Sequence, residues 1–191
     1  MNAITLLKND HKMVEDLFKR FEKLGPRAVK SKQDVAERIV RELSIHAAIE
    51  EMAFYPAIRE AVEKGDVDAE KLDDGVLESL EEHHIVKWVL SELDGMSAAH
   101  ERFDAKVTVL MENVRHHVEE EEKELFPKVS KMFSRAMLDE LGDAMTRLKK
   151  TVPTHPHPRS PDEPPGNLIA GAGAAIMDKA LDAGRKLVGR T

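Results

Sequence analysis

Apolar residues recur every three or four positions through the first 150 residues, as in Leu7, Val14, Leu17, Phe18, Phe21 and Leu24, and they do not alternate as a strand would. The pattern predicts an all-α chain. Gly25-Pro26 closes the first helix, Ser31 with Asp34 three positions on reads as a capped start for the second, and Pro56 is expected to kink or end that helix after Tyr55. A loop follows from Gly65 to about Leu72, then a third helix from about Asp73 to Ala98 and a fourth from about Arg102 to Phe126, ahead of Pro127. A shorter fifth helix runs from about Ser134 to Lys150. Short connections make neighbours antiparallel, so the first four helices form an up-down-up-down four-helix bundle within residues 1–150.

The character of the chain changes at Thr151. Six prolines fall between Pro153 and Pro165, which forbids a helix and marks residues 151–166 as a linker in which His155 and His157 are expected to be free. Residues 167–191 are rich in alanine and glycine, with Ile169, Ala172, Ile176, Ala183 and Leu187 roughly on one face, and read as at most a weak amphipathic helix. A flexible or self-docking tail, or one that engages a protein partner, is the expected role; membrane docking is disfavoured.

Composition narrows the functions. Of 191 residues 41% are hydrophobic, enough for one domain with a core, and the net charge of −7 opposes a sequence-independent grip on nucleic acid or an anionic membrane. No cysteine is present, so disulfides, thiolate metal sites and cysteine nucleophiles are excluded, and any metal must be held by nitrogen and oxygen. No apolar run reaches the roughly 18 residues of a membrane span, and the early Lys8, Asp10 and His11 do not read as a signal peptide. A cytoplasmic setting is expected. Nine histidines remain to be explained, set among glutamates inside the helical pattern.

An internal duplication orders them. His46-Ala-Ala-Ile-Glu50-Glu51-Met-Ala-Phe54-Tyr55-Pro56 overlays His117-Val-Glu-Glu-Glu121-Glu122-Lys-Glu-Leu125-Phe126-Pro127 at an offset of 71, with apolar partners upstream at Leu43 and Val114. His11, followed by Val14, Leu17, Phe18 and Phe21, overlays His83, followed by Val86, Val89, Leu90 and Leu93, at an offset of 72. The bundle is thus two copies of a helical hairpin. The register selects His117 over His116; downstream residues favour His83 over His84, although Leu77 and Leu80 upstream would suit His84.

Residues four apart share a helix face, so His46 with Glu50 and His117 with Glu121 each present an imidazole and a carboxylate inward. His11 and His83 fall at matching depths. Four histidines and two glutamates therefore converge on one layer. Burying them without a cation is costly, because like-charged carboxylates repel and each ion loses hydration. A lone histidine on an apolar face is ordinarily a hydrogen-bonded core residue; four in register with two glutamates point to a pair of metals, with iron, manganese or zinc suited to nitrogen and oxygen donors and the glutamates placed to bridge. Six protein groups leave coordination positions for a small ligand. Glu51 and Glu122 read as surface or supporting groups, and Trp88 as a packing residue.

The ordered pattern His11, His46-x-x-x-Glu50, His83, His117-x-x-x-Glu121, each His-x-x-x-Glu followed by an aromatic and a proline, resembles the hemerythrin-like, or HHE cation-binding, domain. The resemblance covers about residues 1–150. It implies a non-haem di-iron centre with His11, His46, His83 and His117 as nitrogen ligands and Glu50 and Glu121 as bridges. Members bind, sense or resist dioxygen, nitric oxide or peroxide, or handle iron. Oxygen-carrying members use five histidines where the pattern here supplies four, so a further ligand would come from His84, His116, water or Tyr55. On an ideal helix Tyr55 lies about 180° from His46. A ferritin-type Glu-x-x-His pattern occurs here at Glu81-x-x-His84 and is the weaker match.

Three readings follow. The first is a protein that binds a small oxidant at a di-iron centre for sensing or stress response. The second is a peroxide-decomposing enzyme at the same centre. The third is an iron-handling or structural-zinc module that acts through a protein partner.

Overall fold

The computed structural model describes residues 1–63 and 69–160, without the side chains of 69–71, and is helical almost throughout that range. The helices are α1 (Ala3–Glu22), α2 (Val29–Ile49), α3 (Tyr55–Glu63), α4 (Ala69–Leu93), α5 (Phe103–Glu120), α6 (Phe126–Met132) and α7 (Arg135–Leu148). Two π-helical turns, Glu50–Phe54 and Glu121–Leu125, join α2 to α3 and α5 to α6. The far C-terminal segment, residues 161–191, lies outside the described residues.

Local chemistry sets most ends. The Asn2 side chain caps α1 by accepting from the backbone N–H of Ile4 at 2.9 Å, and Ser134 caps α7 by accepting from Met137 at 3.3 Å. Helix α2 starts at Val29, so Ser31 lies inside its first turn and does not cap it; Ala28, tied back to Gly25 at 3.0 Å, delivers the chain into the helix. Helix α4 begins at Ala69 and stops at Leu93, about a turn earlier at both ends than the pattern predicts. Its end is set by Gly95, whose φ of 81° a side chain would resist.

Pro56 and Pro127 do not end their helices. Each sits just after a π turn, in which Tyr55 N–H reaches back to the Glu50 carbonyl and Phe126 N–H to that of Glu121. Proline has no N–H, and its ring collides with the carbonyl four residues back in a regular helix. The inserted residue widens the turn ahead of each proline and lets the helix run on. The duplication read from the sequence therefore extends to a backbone irregularity.

Helices α1, α2, α4 and α5 enclose the core, in two apolar parts. At one end Phe18, Phe21, Ile39, Leu90, Phe103 and Leu110 pack together, joining the end of α1, the start of α2, the end of α4 and the start of α5. At the other end Leu7, Ile49, Phe54, Ile58, Val76 and Phe126 are joined by Leu138 and Met145 of α7. Truncating one of these side chains to alanine costs about 2–5 kcal/mol. Helix α7 crosses the start of α1 so closely that a Cβ on Gly142 would lie 1.9 Å from the Met1 carbonyl oxygen. Between the two apolar parts lies a polar layer.

The proline-rich segment departs from expectation. Residues 151–160 form no helix, yet Val152, Pro153 and His155 are buried, and His155 Nδ1 lies 2.8 Å from Asp94 Oδ2. His155 is therefore not free. Backbone N–H groups of Thr151 and Val152 bond the Leu148 carbonyl at 2.8 and 3.0 Å and turn the chain back onto the bundle. Prolines carry no donor, so such a segment can lie on an apolar groove without orphaning N–H groups. Trp88, in contrast, is 50% exposed and is not a packing residue.

Candidate metal centre

All six predicted residues meet in the polar layer and are buried, Glu50 at 0% and Glu121 at 1% exposure. His46 Nε2 lies 3.1 Å from Glu50 Oε2, and His11 Nε2 lies 3.2 Å from Glu121 Oε2. His83 Nε2 lies 3.4 Å from the same Glu50 oxygen and 3.3 Å from His117 Nε2, which is 3.6 Å from Glu121 Oε2. Two donor groups result: His11, His46, Glu50 and Glu121, and then Glu50, His83 and His117. Glu50 belongs to both. His84 and His116 are exposed, the latter beside Glu82 and Glu120 at the surface.

Apart from the hydrogen bond between His83 Nε2 and His117 Nε2, these contacts are close without being hydrogen bonds. Nε2 of His11 and His46, both oxygens of Glu50 and Oε2 of Glu121 are buried with no hydrogen-bond partner. Buried polar atoms are nearly always paired, so a cluster of orphans this dense calls for another ligand. Donors bound to one metal at about 2.0–2.2 Å stand about 3 Å apart, close to the spacings here. Burial pushes the His46 imidazole down to about 4 and that of His83 below its ordinary value, which favours the neutral ring a metal requires. Burial, reinforced by Glu121, pushes the Glu50 carboxyl well up; for Glu121 burial is outweighed by the facing His117 and His11 rings, which draw it down to about 2. The donor set and its orphaned atoms fit a pair of cations.

Three of the four opposite nitrogens are held from outside. Nδ1 of His11 faces Glu122 at 2.9 Å, that of His83 faces Glu51 at 3.0 Å and that of His117 faces Glu82 at 2.8 Å. His46 Nδ1 is 3.7 Å from Asp10, beyond hydrogen-bond distance, and the other oxygen of Asp10 is engaged by Lys149, the residue that follows α7. A carboxylate on Nδ1 fixes the tautomer that leaves the Nε2 lone pair inward. Asp10 and Glu82 each precede a predicted ligand and carry no motif of their own. The one signal for them is their equivalence under the duplication.

Tyr55 also enters the layer. Its hydroxyl donates to Glu121 Oε1 at 3.0 Å and lies 3.4 Å from His83 Nε2. The ideal-helix angle points it away because that geometry lacks the π turn, whose extra residue swings everything beyond it by about 100°. At the equivalent position Phe126 stacks on His11 at 5.8 Å. A cavity of about 20 Å³ adjoins the four histidines and is walled by Val14, Leu43, Val86, Val114 and Val118, room for one small molecule.

A model of the hemerythrin HHE cation-binding domain matches residues 2–129. The chain belongs to this hemerythrin family. An uncharacterised hemerythrin-like protein of Schizosaccharomyces pombe is 34% identical over 76% of this chain and 68% of its own length. A protein of Nostoc named DNA nickase is 26% identical over 80% of this chain, which spans 40% of that relative. The crystal structure of a hemerythrin HHE cation-binding domain-containing protein from Mycobacterium kansasii superposes with a TM-score of 0.63 at 24% identity, over 78% of this chain and 86% of that one. The hemerythrin fold and a cation-binding domain are thereby established, and among the described residues no helix is long and apolar enough to cross a membrane.

Proposed function

We propose that this hemerythrin-family chain holds two iron ions and binds a small oxidant, dioxygen, nitric oxide or peroxide, in sensing or stress response. The carrying observation is the pair of buried donor groups that share Glu50, with Nε2 of His11 and His46, both Glu50 oxygens and Oε2 of Glu121 unpartnered inside the protein. His11, His46, Glu50 and Glu121 would hold one ion and Glu50, His83 and His117 the other, and the surplus contact of Glu121 with His117 suits a second bridge. Iron held there supplies Lewis acidity and one-electron redox chemistry toward a small ligand. Manganese and zinc satisfy the same donors, and zinc would leave a structural module without redox function.

The chain's own residues then do three things. The valine walls exclude bulk water and admit one small molecule, the outer carboxylates keep the imidazoles oriented, and Tyr55 keeps a proton at its hydroxyl beside Glu121. Burial and the neighbouring Glu121 push the Tyr55 phenol well above its ordinary value, so that proton is retained. A hydroxyl so placed is the feature that favours the second reading, peroxide decomposition. Nicking of DNA is not carried over, since most of that relative lies beyond this chain and a net charge of −7 opposes a phosphate backbone. A cysteine-free chain suits a reducing, cytoplasmic setting.

Metal analysis with a visible spectrum, before and after peroxide or nitric oxide, tests the proposal. Two irons per chain with a ligand-responsive band are expected. Colourless protein holding zinc after growth in ample iron sinks both redox readings, and oxygen evolution from peroxide selects the enzyme.

A further inference from the structure

The duplication preserves the carboxylate behind the first histidine of each hairpin, and changes what stands behind that carboxylate. Glu51 faces His83 Nδ1 at 3.0 Å, and its counterpart Glu122 faces His11 Nδ1 at 2.9 Å. Beyond Glu51 lies Lys87, one turn after His83 on α4, with Nζ 2.9 Å from Oε1 and 3.0 Å from Oε2. One turn after His11 the matching residue is Glu15, which turns away to Arg115 at 3.0 Å. Lys87 and Glu51 are buried, at 7% and 6% exposure, in a small pocket they share with Pro153 and His155, whereas the Glu122 side chain is 35% exposed. A buried lysine contacting both oxygens of a buried carboxylate leaves that carboxylate little freedom to turn.

We propose that Lys87 is a positioning residue for the Glu50–His83–His117 metal position: it clamps Glu51, which fixes His83 through Nδ1 and keeps Nε2 directed at Glu50 and His117. The inference rests on the two-metal reading above. With Nδ1–H donating to Glu51, the lone pair of His83 is on Nε2, the atom 3.4 Å from Glu50. Without the clamp the carboxylate can rotate and the ring with it. Phe126 stacks on the His11 face in a nearly parallel plane at 5.8 Å, whereas Tyr55 meets His83 tilted by 49° at 5.5 Å.

Cobalt(II) titration of the metal-stripped full chain, followed by visible absorption, reads the two positions separately. Lys87→Met alone leaves a buried carboxylate without its counter-charge, so the variants are the neutral pair Lys87→Met/Glu51→Gln and the single Lys87→Gln. Wild-type chain is expected to bind two cobalt ions. The pair variant should weaken one binding step about 10–100-fold, with an altered spectrum for that step and the other step unchanged. Lys87→Gln should weaken the same step less, Lys87→Arg should restore it, and Glu122→Gln should weaken the other step. Wild-type affinity at both steps in Lys87→Gln, or in the pair variant should Lys87→Gln not fold, overturns the proposal, as does equal weakening of both steps. If the wild-type chain takes up fewer than two cobalt ions, the two-metal reading falls and this inference with it.

Discussion

The α1–α2 hairpin and the α4–α5 hairpin deliver the same residues to the central layer. His11, His46 and Glu50 come from the first, and His83, His117 and Glu121 from the second, each glutamate opening a π turn that ends ahead of a proline. One side chain further out the copies part. Tyr55 stands where the second copy has Phe126, and Lys87 where the first has Glu15. Helix α7 covers the first hairpin, placing Lys149 on Asp10, while residues 152–160 lie along α2 and α4. Positions that would touch a metal are under the same chemical demand in both copies and stayed alike. Positions behind them need only orient a ring or fill a space, and several side chains can do that.

The largest effect should come from the residues that join the halves. Glu50 reaches histidines of both groups, so Glu50→Ala is expected to release both metals, and Glu121→Ala at least one, read as metal per chain after gel filtration. Two metals retained by both variants would refute bridging. Next, His83→Ala should remove the metal of the Glu50–His83–His117 group while His84→Ala, at an exposed position, keeps two. The reverse result would mean that the register of α4 is off by one residue.

That register shows what sequence could and could not carry. The six inward residues were legible because a ligand must recur at a fixed helical phase, and duplication makes the phase visible twice. Between His83 and His84 the sequence is divided, the downstream apolar residues favouring the first and Leu77 and Leu80 the second, and it is the fold that buries His83 and leaves His84 exposed. Tyr55 was illegible for the opposite reason: its direction depends on an extra residue in the turn before Pro56, and periodicity arguments assume a uniform helix. Asp10, Glu82 and Lys87 resemble any charged residue on a helix until the neighbouring helix is in place. The proline-rich segment misleads because prolines exclude a helix without excluding burial, as Val152 and His155 illustrate.

Truncation separates the parts of that segment. Removal of residues 161–191 gives the reference chain. Removal of 151–191 uncovers the pocket around Glu51 and Lys87 and gives up the burial of Val152, itself worth about 1.5–3 kcal/mol. Urea melts of the two truncations should differ by at least that amount. Equal melts would show that residues 151–160 contribute nothing to the folded bundle.

Replacing Tyr55 by phenylalanine makes the two copies alike at the position after the π turn. The ring still fits, since Phe126 occupies the matching place, so packing is retained and the change is confined to one hydroxyl. Glu121 Oε1 loses a donor at 3.0 Å inside the protein, which should lower the stability of the metal-free chain by about 1–3 kcal/mol, measured by urea unfolding. With metal bound, a Glu121 that bridges is held by the ions as well, so the loss should shrink and the metal count should remain two. A drop to one metal would make Tyr55 itself a ligand, the additional donor that four histidines leave room for. An unchanged count with an altered spectral response to peroxide or nitric oxide would place its hydroxyl beside the bound oxidant, and the two hairpins would then differ in role as well as in residue.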